Sequence, residues 1–309
     1  MHSSHIYIVG AGAIGKTLAV LLTQEGKKVT LVQRGPDQGS QQLKLKLILG
    51  NEKSFDAAVP VDTISSGTEL DGIIVIAAKA FANADIASML LPRIGSSPVV
   101  ILQNGLNVEE NYIEAGFKNL YRCVLFATSE SIDATTVRYK PVGPSPVGII
   151  EGKGEVLASV VQQLSTELFA FRPETNISTY AWKKTIINSV FNSVCPLLDC
   201  DNGIFHRNPA AMQIAKTVIA EGVLVADAEG IKLDQADVEN TLLDISLRSD
   251  GQLISTLQDI KHGRPTEIDN MNFEIVKIAQ RLNKADHVTQ TKILGELVKL
   301  KEAVVNIKL

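Results

Sequence analysis

Apolar and polar positions in the N-terminal half of the chain follow two alternating periodicities. Short apolar runs with β-branched residues, typical of buried strands, are separated by segments whose apolar residues recur every three or four positions, as in helices. The predicted strands are 5–9, 28–32, 72–78, 98–103, 120–127, 146–150 and 169–172. Strands that alternate with helices favour a parallel sheet covered by helices.

The pattern changes after Pro173. From about residue 178 the strand-like runs disappear, and long amphipathic stretches follow at 210–229, 236–247 and 267–282. Both periodicities are broken between residues 172 and 178, where the chain reads Arg-Pro-Glu-Thr-Asn-Ile-Ser. The sequence therefore predicts two domains, an α/β domain over 1–175 and a mostly α-helical domain over 176–309.

A glycine motif joins the first predicted strand to the first predicted helix. It consists of Gly10, Ala11, Gly12, Ala13, Ile14 and Gly15. A G-x-G-x-x-G motif in this context allows a tight turn, close approach of the backbone to a pyrophosphate and close packing of helix on strand. An ordinary glycine-rich turn is the alternative. The motif predicts that the N-terminal domain is a Rossmann dinucleotide-binding domain.

Arg34 follows the second predicted strand, about 20 residues past the glycines. NAD-binding domains commonly carry an acidic residue here, which binds the ribose hydroxyls. An arginine can instead form paired hydrogen bonds with the 2′-phosphate of NADP, which an acid would repel. Arg34 therefore favours NADP (NADPH) as the cofactor, and a solvated loop cation is the alternative.

Two polar residues follow later strands. Lys79 comes after the apolar run 72–78, and Asn104 comes after 98–103. Ligands of open α/β sheets bind beyond the carboxyl ends of the strands, which puts both residues on the cofactor side. A solvated cation at a helix start and an Asn-Gly turn are the alternatives.

The first helix predicted in the C-terminal domain carries a polar stripe. Lys184, Asn188 and Asn192 recur every four residues, whereas Lys183 lies on the neighbouring stripe. Asparagine is a mediocre helix former, so two on one stripe suggest a specific role. Two amides and an ammonium can bind a small oxo acid and polarise its carbonyl group. The alternative is a solvated lysine with asparagines that bond to neighbouring loops.

Composition excludes several function classes. The 30 Lys plus Arg and 34 Asp plus Glu residues give a net charge of −4, which is unlike a nucleic-acid-binding surface. We expect no membrane association, because no apolar run approaches the length of a span, and we expect no secretion signal and no metal site. Three cysteines fit a cytoplasmic protein better than a disulfide framework. The oligomeric state stays open, with a homodimer as one candidate.

The segment 255–269 completes a family pattern. Its Glu267 follows Pro265 in what is predicted as a first helical turn, where a carboxylate stabilises the helix dipole. Together with the glycine motif, Lys79, Gln103-Asn104-Gly105, Lys184 with Asn188 and Asn192, and Asp201-Asn202-Gly203, the segment resembles ketopantoate reductase, also called 2-dehydropantoate 2-reductase. The resemblance extends over the whole chain.

The resemblance implies a role for each of these residues. Lys184 would be the general acid that protonates the substrate carbonyl, and Glu267 would act near it and near the nicotinamide ribose. The substrate would be bound by Asn188, Asn192, Asn202 and Ser255. Asn104 would lie between substrate and cofactor, and Lys79 would help to bind NADP. The implied second domain is like that of 6-phosphogluconate dehydrogenase, with the active site in the interdomain cleft.

The implied reaction is the NADPH-dependent reduction of ketopantoate to (R)-pantoate, a step in pantothenate and coenzyme A biosynthesis. A reductase of another 2-oxo acid is one alternative. A β-hydroxyacid dehydrogenase is another and would also carry a Lys and an Asn four residues apart, but it does not account for segment 255–269. A non-catalytic NADP-sensing regulator would keep Arg34 and the glycines without needing Lys184 and Glu267.

Overall fold

A computed structural model describes residues 4–35, 41–50, 53–65 and 67–308. The chain forms two compact units. The first consists of residues 1–103 and 108–177, and the second consists of residues 104–107 and 178–309. The short segment Asn104–Asn107 thus belongs to the second unit, although its neighbours in sequence belong to the first.

The described part of the first unit contains one eleven-stranded sheet. Its strands are β1 (His5–Val9), β2 (Val29–Gln33), β3 (Gln41–Leu49), β4 (Ser54–Thr63), β5 (Gly72–Ile76), β6 (Val99–Ile101), β7 (Leu120–Cys123), β8 (Ala127–Ser131), β9 (Thr136–Pro141), β10 (Ser145–Glu151) and β11 (Phe171–Pro173). Their spatial order is β11-β10-β7-β6-β5-β1-β2-β4-β3-β9-β8.

The centre of this sheet is parallel, as the sequence predicts. Strands β7, β6, β5, β1, β2 and β4 run in the same direction, with β1 between β2 and β5. Antiparallel pairs lie toward the edges, between β7 and β10, β3 and β4, and β8 and β9. The predicted strand over 120–127 is wrong in extent, because β7 ends at Cys123 and the backbone N–H of Val124 bonds to Pro146.

Helices pack on both faces of the sheet. They are α1 (Ala13–Gln24), α2 (Asn83–Leu90), α3 (Glu110–Ala115) and α4 (Gly154–Leu164). Strand β5 illustrates why, since Ile73 and Val75 pack in the same core as α1 and α4, whereas Ile74 and Ile76 pack in the core of α2 and α3. A central parallel strand that is apolar on both sides requires such double covering.

The second unit is helical, as predicted. Its helices are α5 (Ile177–Leu198), α6 (Ile204–Arg207), α7 (Pro209–Ala228), α8 (Gln235–Arg248), α9 (Ser255–Lys261), α10 (Asn272–Arg281) and α11 (Thr289–Lys308). Buried side chains of α5, α7, α8 and α10 form its main core, among them Ile186, Val190, Ile219, Leu242 and Ile275.

Helix α7 contradicts the expectation that no apolar run approaches the length of a membrane span. By length and composition it is apolar enough to cross a membrane, with a mean hydropathy of 1.3. Core helices of soluble proteins meet the same criterion, and Ala215, Ile219 and Val225 of α7 are buried in the core of the second unit. The Asn208 side chain caps its N-terminus by accepting hydrogen bonds from two backbone amides, and Pro209 occupies the first turn.

The predicted helix over 267–282 is also wrong in its first turn. A short 3₁₀ turn covers Ile268–Asn270, and α10 begins only at Asn272. The carbonyl of Asn270 accepts a hydrogen bond from the backbone of Leu106, and Met271 has non-helical dihedral angles. Glu267 therefore precedes a 3₁₀ turn and does not stabilise the dipole of an α-helix.

Candidate functional site

The carboxyl ends of β1, β2 and β5 border a cavity in the first unit. Chain order reverses at β1, which pairs with β2 on one side and with β5 on the other, and open α/β sheets bind ligands at such a point. The cavity has a volume of about 250 Å³. Its walls include Gly10, Gln33, Arg34, Ile64, Ala78, Lys79, Phe81 and Ile86.

The three motif glycines have different surroundings. Gly10 has a φ of +114°, and a Cβ there would lie 2.5 Å from the nitrogen of Ala78. A Cβ on Gly15 would lie 2.0 Å from the carbonyl oxygen of Gly10. Gly12 stands directly before α1 with open space around it, since no atom lies within 4 Å of its ideal Cβ position. This open backbone at a helix N-terminus fits a dinucleotide pyrophosphate.

The cavity wall is cationic. Arg34 and Lys79 both line it, and none of the lining residues within the described ranges is acidic. Nη2 of Arg34 donates to Oδ2 of Asp85 in α2, at 2.9 Å. Lys16, which directly follows the glycine motif, instead donates to the carbonyl of Ala134, and burial lowers its pKa. Arg34 and Lys79 are therefore the cations that can meet a phosphate in this cavity.

Sequence reasoning missed two residues around this cavity. Phe81 lies in its wall with 63% of its side chain exposed, which is unusual for phenylalanine and suits contact with a planar base. Asn83 is buried and exchanges two hydrogen bonds with Gln103, which also donates to the carbonyl of Ala78. This pair fixes the backbone just before Lys79. The sequence does show an aromatic residue two positions after Lys79, which could have indicated Phe81. It gives no sign that Asn83 pairs with Gln103, 20 residues away.

In the second unit, Lys184 is held by Asn104. Nζ of Lys184 donates to Oδ1 of Asn104 at 3.0 Å. Gly105 has a φ of +101°, and a Cβ there would lie 2.2 Å from the carbonyl oxygen of Asn270. The Asn-Gly sequence therefore lets the chain pass close to residue 270 and turn Asn104 toward the lysine. Lys183 has a different partner, Oδ2 of Asp237 in α8, at 2.6 Å.

The asparagines of α5 are tied to α9. Nδ2 of Asn192 donates to the carbonyl of Asn188, at 2.9 Å. Oδ1 of Asn192 accepts from the hydroxyl of Ser255 and from the backbone N–H of Thr256, at 3.1 and 3.2 Å. Asn192 is almost fully buried, so its amide satisfies the N-terminus of α9 and holds Ser255 beside the polar stripe.

Two further predicted residues are buried polar groups. Oδ1 of Asn202 has no hydrogen-bond partner among the described residues, although its side chain is only 7% exposed. The backbone N–H of Asn202 bonds to Gln252, which ties this loop to the segment that leads to Ser255. Glu267 is equally buried. An unsatisfied buried amide oxygen suggests a ligand group that would complete it.

Comparisons with known proteins identify the family of this chain. Residues 6–151 match the family model described as ketopantoate reductase PanE/ApbA, and residues 176–302 match its C-terminal model. The chain belongs to the ketopantoate reductase family. It is 29% identical to a 2-dehydropantoate 2-reductase of Pyrococcus horikoshii, over 96% of this chain and 97% of that protein.

Solved structures share the fold of this family member. The ternary structure of D-mandelate dehydrogenase with NADH and anilino(oxo)acetate matches with a TM-score of 0.84 and 25% identity, over 98% of this chain and 99% of that one. A dimeric ketopantoate reductase from Staphylococcus aureus matches with a TM-score of 0.78 and 20% identity, over 97% and 99%.

Family membership makes this protein an oxidoreductase that acts on CH–OH groups, with a nicotinamide cofactor and a small-molecule substrate. The α/β fold with a dinucleotide-binding motif and a helical second unit is confirmed. The role of each site residue, the choice of NADP and a homodimer stay predictions.

Alanine substitutions of Gly15 and Gly12 should show which motif glycine is needed for stability and which for cofactor binding. Gly15→Ala should lower the free energy of unfolding by roughly 1–3 kcal/mol, because its Cβ would clash with the Gly10 carbonyl. Gly12→Ala should change stability by less than about 1 kcal/mol and yet weaken binding of the nicotinamide dinucleotide roughly 10-fold, since a methyl group would keep the pyrophosphate from the backbone. Denaturant unfolding and NADPH titration of both variants test this. Unchanged NADPH affinity in Gly12→Ala would contradict it.

Proposed function

We propose that this protein is an NADPH-dependent 2-dehydropantoate 2-reductase, which reduces ketopantoate to (R)-pantoate for pantothenate and coenzyme A biosynthesis in the cytoplasm. The observation that carries the proposal is the hydrogen bond between Lys184 and Asn104. It gives a cationic proton donor a fixed direction, which a solvated surface lysine does not have.

Lys184 acts as the general acid in this proposal. Nζ of Lys184 donates to Oδ1 of Asn104, which directs the ammonium group, and this ammonium is the proton donor for the substrate carbonyl. NADPH, when bound, supplies the hydride. The ammonium polarises the carbonyl and gives its proton to the oxygen as negative charge develops there. Glu267 contributes from a buried position near the nicotinamide ribose and the lysine.

The substrate is bound by amides and a hydroxyl of the second unit. Asn188 can donate its amide hydrogens to the carboxylate of ketopantoate. Asn192 accepts the hydroxyl hydrogen of Ser255 and holds it in position, so Ser255 contacts the substrate through its oxygen. Asn202 offers an unsatisfied amide oxygen, which can accept only from a donor. Ketopantoate has one suitable donor, the hydroxyl on its branched carbon. The unsatisfied oxygen therefore favours a hydroxylated 2-oxo acid.

The cofactor is NADPH because of the cations in the cavity of the first unit. Arg34 pairs with the 2′-phosphate, Lys79 assists, and Gly10, Gly12 and Gly15 with Ala11, Ala13 and Ile14 form the pyrophosphate turn. Half of the Arg34 side chain is exposed, so its guanidinium is accessible to a phosphate.

A reductase of another 2-oxo acid is the second candidate. The neighbour solved with NADH and anilino(oxo)acetate is a D-mandelate dehydrogenase, at 25% identity and a TM-score of 0.84. Its name shows that this fold also serves a different 2-hydroxy acid and binds NADH. A non-catalytic NADP-sensing regulator would not need the Lys184–Asn104 pair.

The two adjacent lysines of α5 form a matched pair for a test of the general acid. Lys184→Ala should lower kcat by roughly 100- to 10,000-fold with nearly unchanged NADPH affinity, the usual effect of losing a general acid. Lys183→Ala removes only a partner of Asp237 and should keep kcat within about 3-fold. Steady-state kinetics and NADPH titration decide. If Lys183→Ala is the inactive variant, the assignment of the proton donor is wrong.

Arg34→Ala tests the cofactor choice. A charge-assisted bond to phosphate typically contributes about 1.5–3 kcal/mol, and the exposure of Arg34 favours the low end. NADPH binding should therefore weaken roughly 10-fold or more, while NADH binding should change little. Fluorescence titration with both cofactors measures the two effects. Equal losses for NADPH and NADH would contradict a phosphate contact.

The substrate assignment is tested with two 2-oxo acids. Ketopantoate and 2-oxoisovalerate share the oxo acid group and a branched carbon, but only ketopantoate has the hydroxyl. A site with buried groups for that hydroxyl should reduce ketopantoate with kcat/KM at least about 100-fold higher. Similar values would leave a 2-oxo acid reductase and remove the pantothenate assignment. No NADPH oxidation with any 2-oxo acid would favour the regulator.

A further inference from the structure

An acidic residue stands beside Arg34, although β2 itself lacks one. Asp85 lies in the first turn of α2, and its Oδ2 is 2.9 Å from Nη2 of Arg34. Its neighbours Ala82 and Ile86 line the same cavity as Arg34. The carboxylate that NAD-binding domains commonly carry after the second strand is thus supplied at this cavity by a different element.

Two structural roles could explain Asp85 without a ligand. A carboxylate in the first turn of a helix stabilises the helix dipole, but this effect needs no arginine partner. An ion pair between exposed side chains adds little to stability, and the Arg34 and Asp85 side chains are 53% and 68% exposed. Neither role accounts for a carboxylate that is bonded to a cation of the cavity wall and stands next in sequence to the lining residue Ile86. Substitution of Asp85 should leave the fold intact.

A carboxylate beside Arg34 has opposite effects on the binding of NADPH and of NADH. Toward a 2′-phosphate it is unfavourable, because it repels the dianion and competes for the guanidinium of Arg34. Toward a ribose with a free 2′-hydroxyl it is favourable, because it can accept a hydrogen bond from that hydroxyl. Arg34 favours the 2′-phosphate and has little effect on a ribose with a free 2′-hydroxyl.

We propose that Asp85 is a specificity-determining residue, which lowers the preference of this protein for NADPH over NADH by weakening the binding of NADPH and strengthening that of NADH. The proposal rests on the cofactor site of the proposed function. In this proposal the ion pair of Arg34 and Asp85, rather than Arg34 alone, distinguishes a 2′-phosphate from a 2′-hydroxyl on the adenosine ribose.

The test uses two ligands that lack nicotinamide, 2′-phospho-ADP-ribose and ADP-ribose, with the full chain. Asp85→Ala should bind 2′-phospho-ADP-ribose roughly 3- to 10-fold more tightly, because an exposed like charge is removed. The same variant should bind ADP-ribose roughly 2- to 5-fold more weakly, because the acceptor for its 2′-hydroxyl is lost. Isothermal titration calorimetry measures both constants.

Two further variants separate charge from shape. Asp85→Asn keeps an oxygen acceptor, so it should tighten 2′-phospho-ADP-ribose and leave ADP-ribose within about 2-fold of the unsubstituted protein. Asp227→Asn removes an exposed carboxylate of the second unit, which pairs with Lys232, and should change neither constant. The gain in Asp85→Asn should shrink between low and high salt, since it is electrostatic.

The proposal is overturned if Asp85→Ala shifts both ligands in the same direction, or shifts neither, or if neither ligand binds the unsubstituted protein. These measurements do not involve Lys184 or any 2-oxo acid. Opposite shifts in a protein that reduces no 2-oxo acid would thus support this inference while the proposed reaction fails. Parallel shifts in an active ketopantoate reductase would overturn this inference alone.

Discussion

The nucleotide site depends on how closely the backbone passes between the ends of β1 and β5. These strands are parallel neighbours, and after Val9 the chain must turn within contact distance of the backbone at Ala78. A side chain at residue 10 has no room there, and only a residue that tolerates a φ of +114° can make the turn. Gly10 therefore determines where α1 begins. It also places the amide end of that helix beside the cavity.

The second unit depends in a comparable way on one buried amide. Asn192 joins α5 to the start of α9, because its oxygen accepts from Ser255, 63 residues further along the chain, and from Thr256. Its nitrogen donates back to the carbonyl of Asn188 in its own helix. These hydrogen bonds avoid the free-energy cost of leaving the polar atoms of a buried side chain unsatisfied. Asn192, which the sequence predicts as a substrate ligand, thus also holds a second predicted ligand, Ser255, in position.

Much of this arrangement follows from local patterns, and the rest depends on contacts across long sequence distances. The glycine motif and the apolar runs around it predict the central strands, since their chemistry is local. The hairpins β3–β4 and β8–β9 were not predicted, because their strands are only partly buried and mix polar with apolar residues instead of forming continuous apolar runs. Likewise, nothing in the sequence near Arg34 indicates Asp85, which is 51 residues away and reaches the arginine only when α2 packs on the sheet.

The choice of partner for Lys184 explains why two adjacent lysines can have different roles. Lys183 faces a carboxylate, so its charge is neutralised and its ammonium is drawn to Asp237. Nζ of Lys184 donates to the amide oxygen of Asn104, an acceptor that directs the ammonium and brings no negative charge of its own. An ammonium can attract a carboxylate and polarise a carbonyl, and a neutral acceptor at residue 104 does not weaken that attraction as a carboxylate there would. Asparagine at residue 104 therefore suits proton donation better than an aspartate would, although both could hold the lysine.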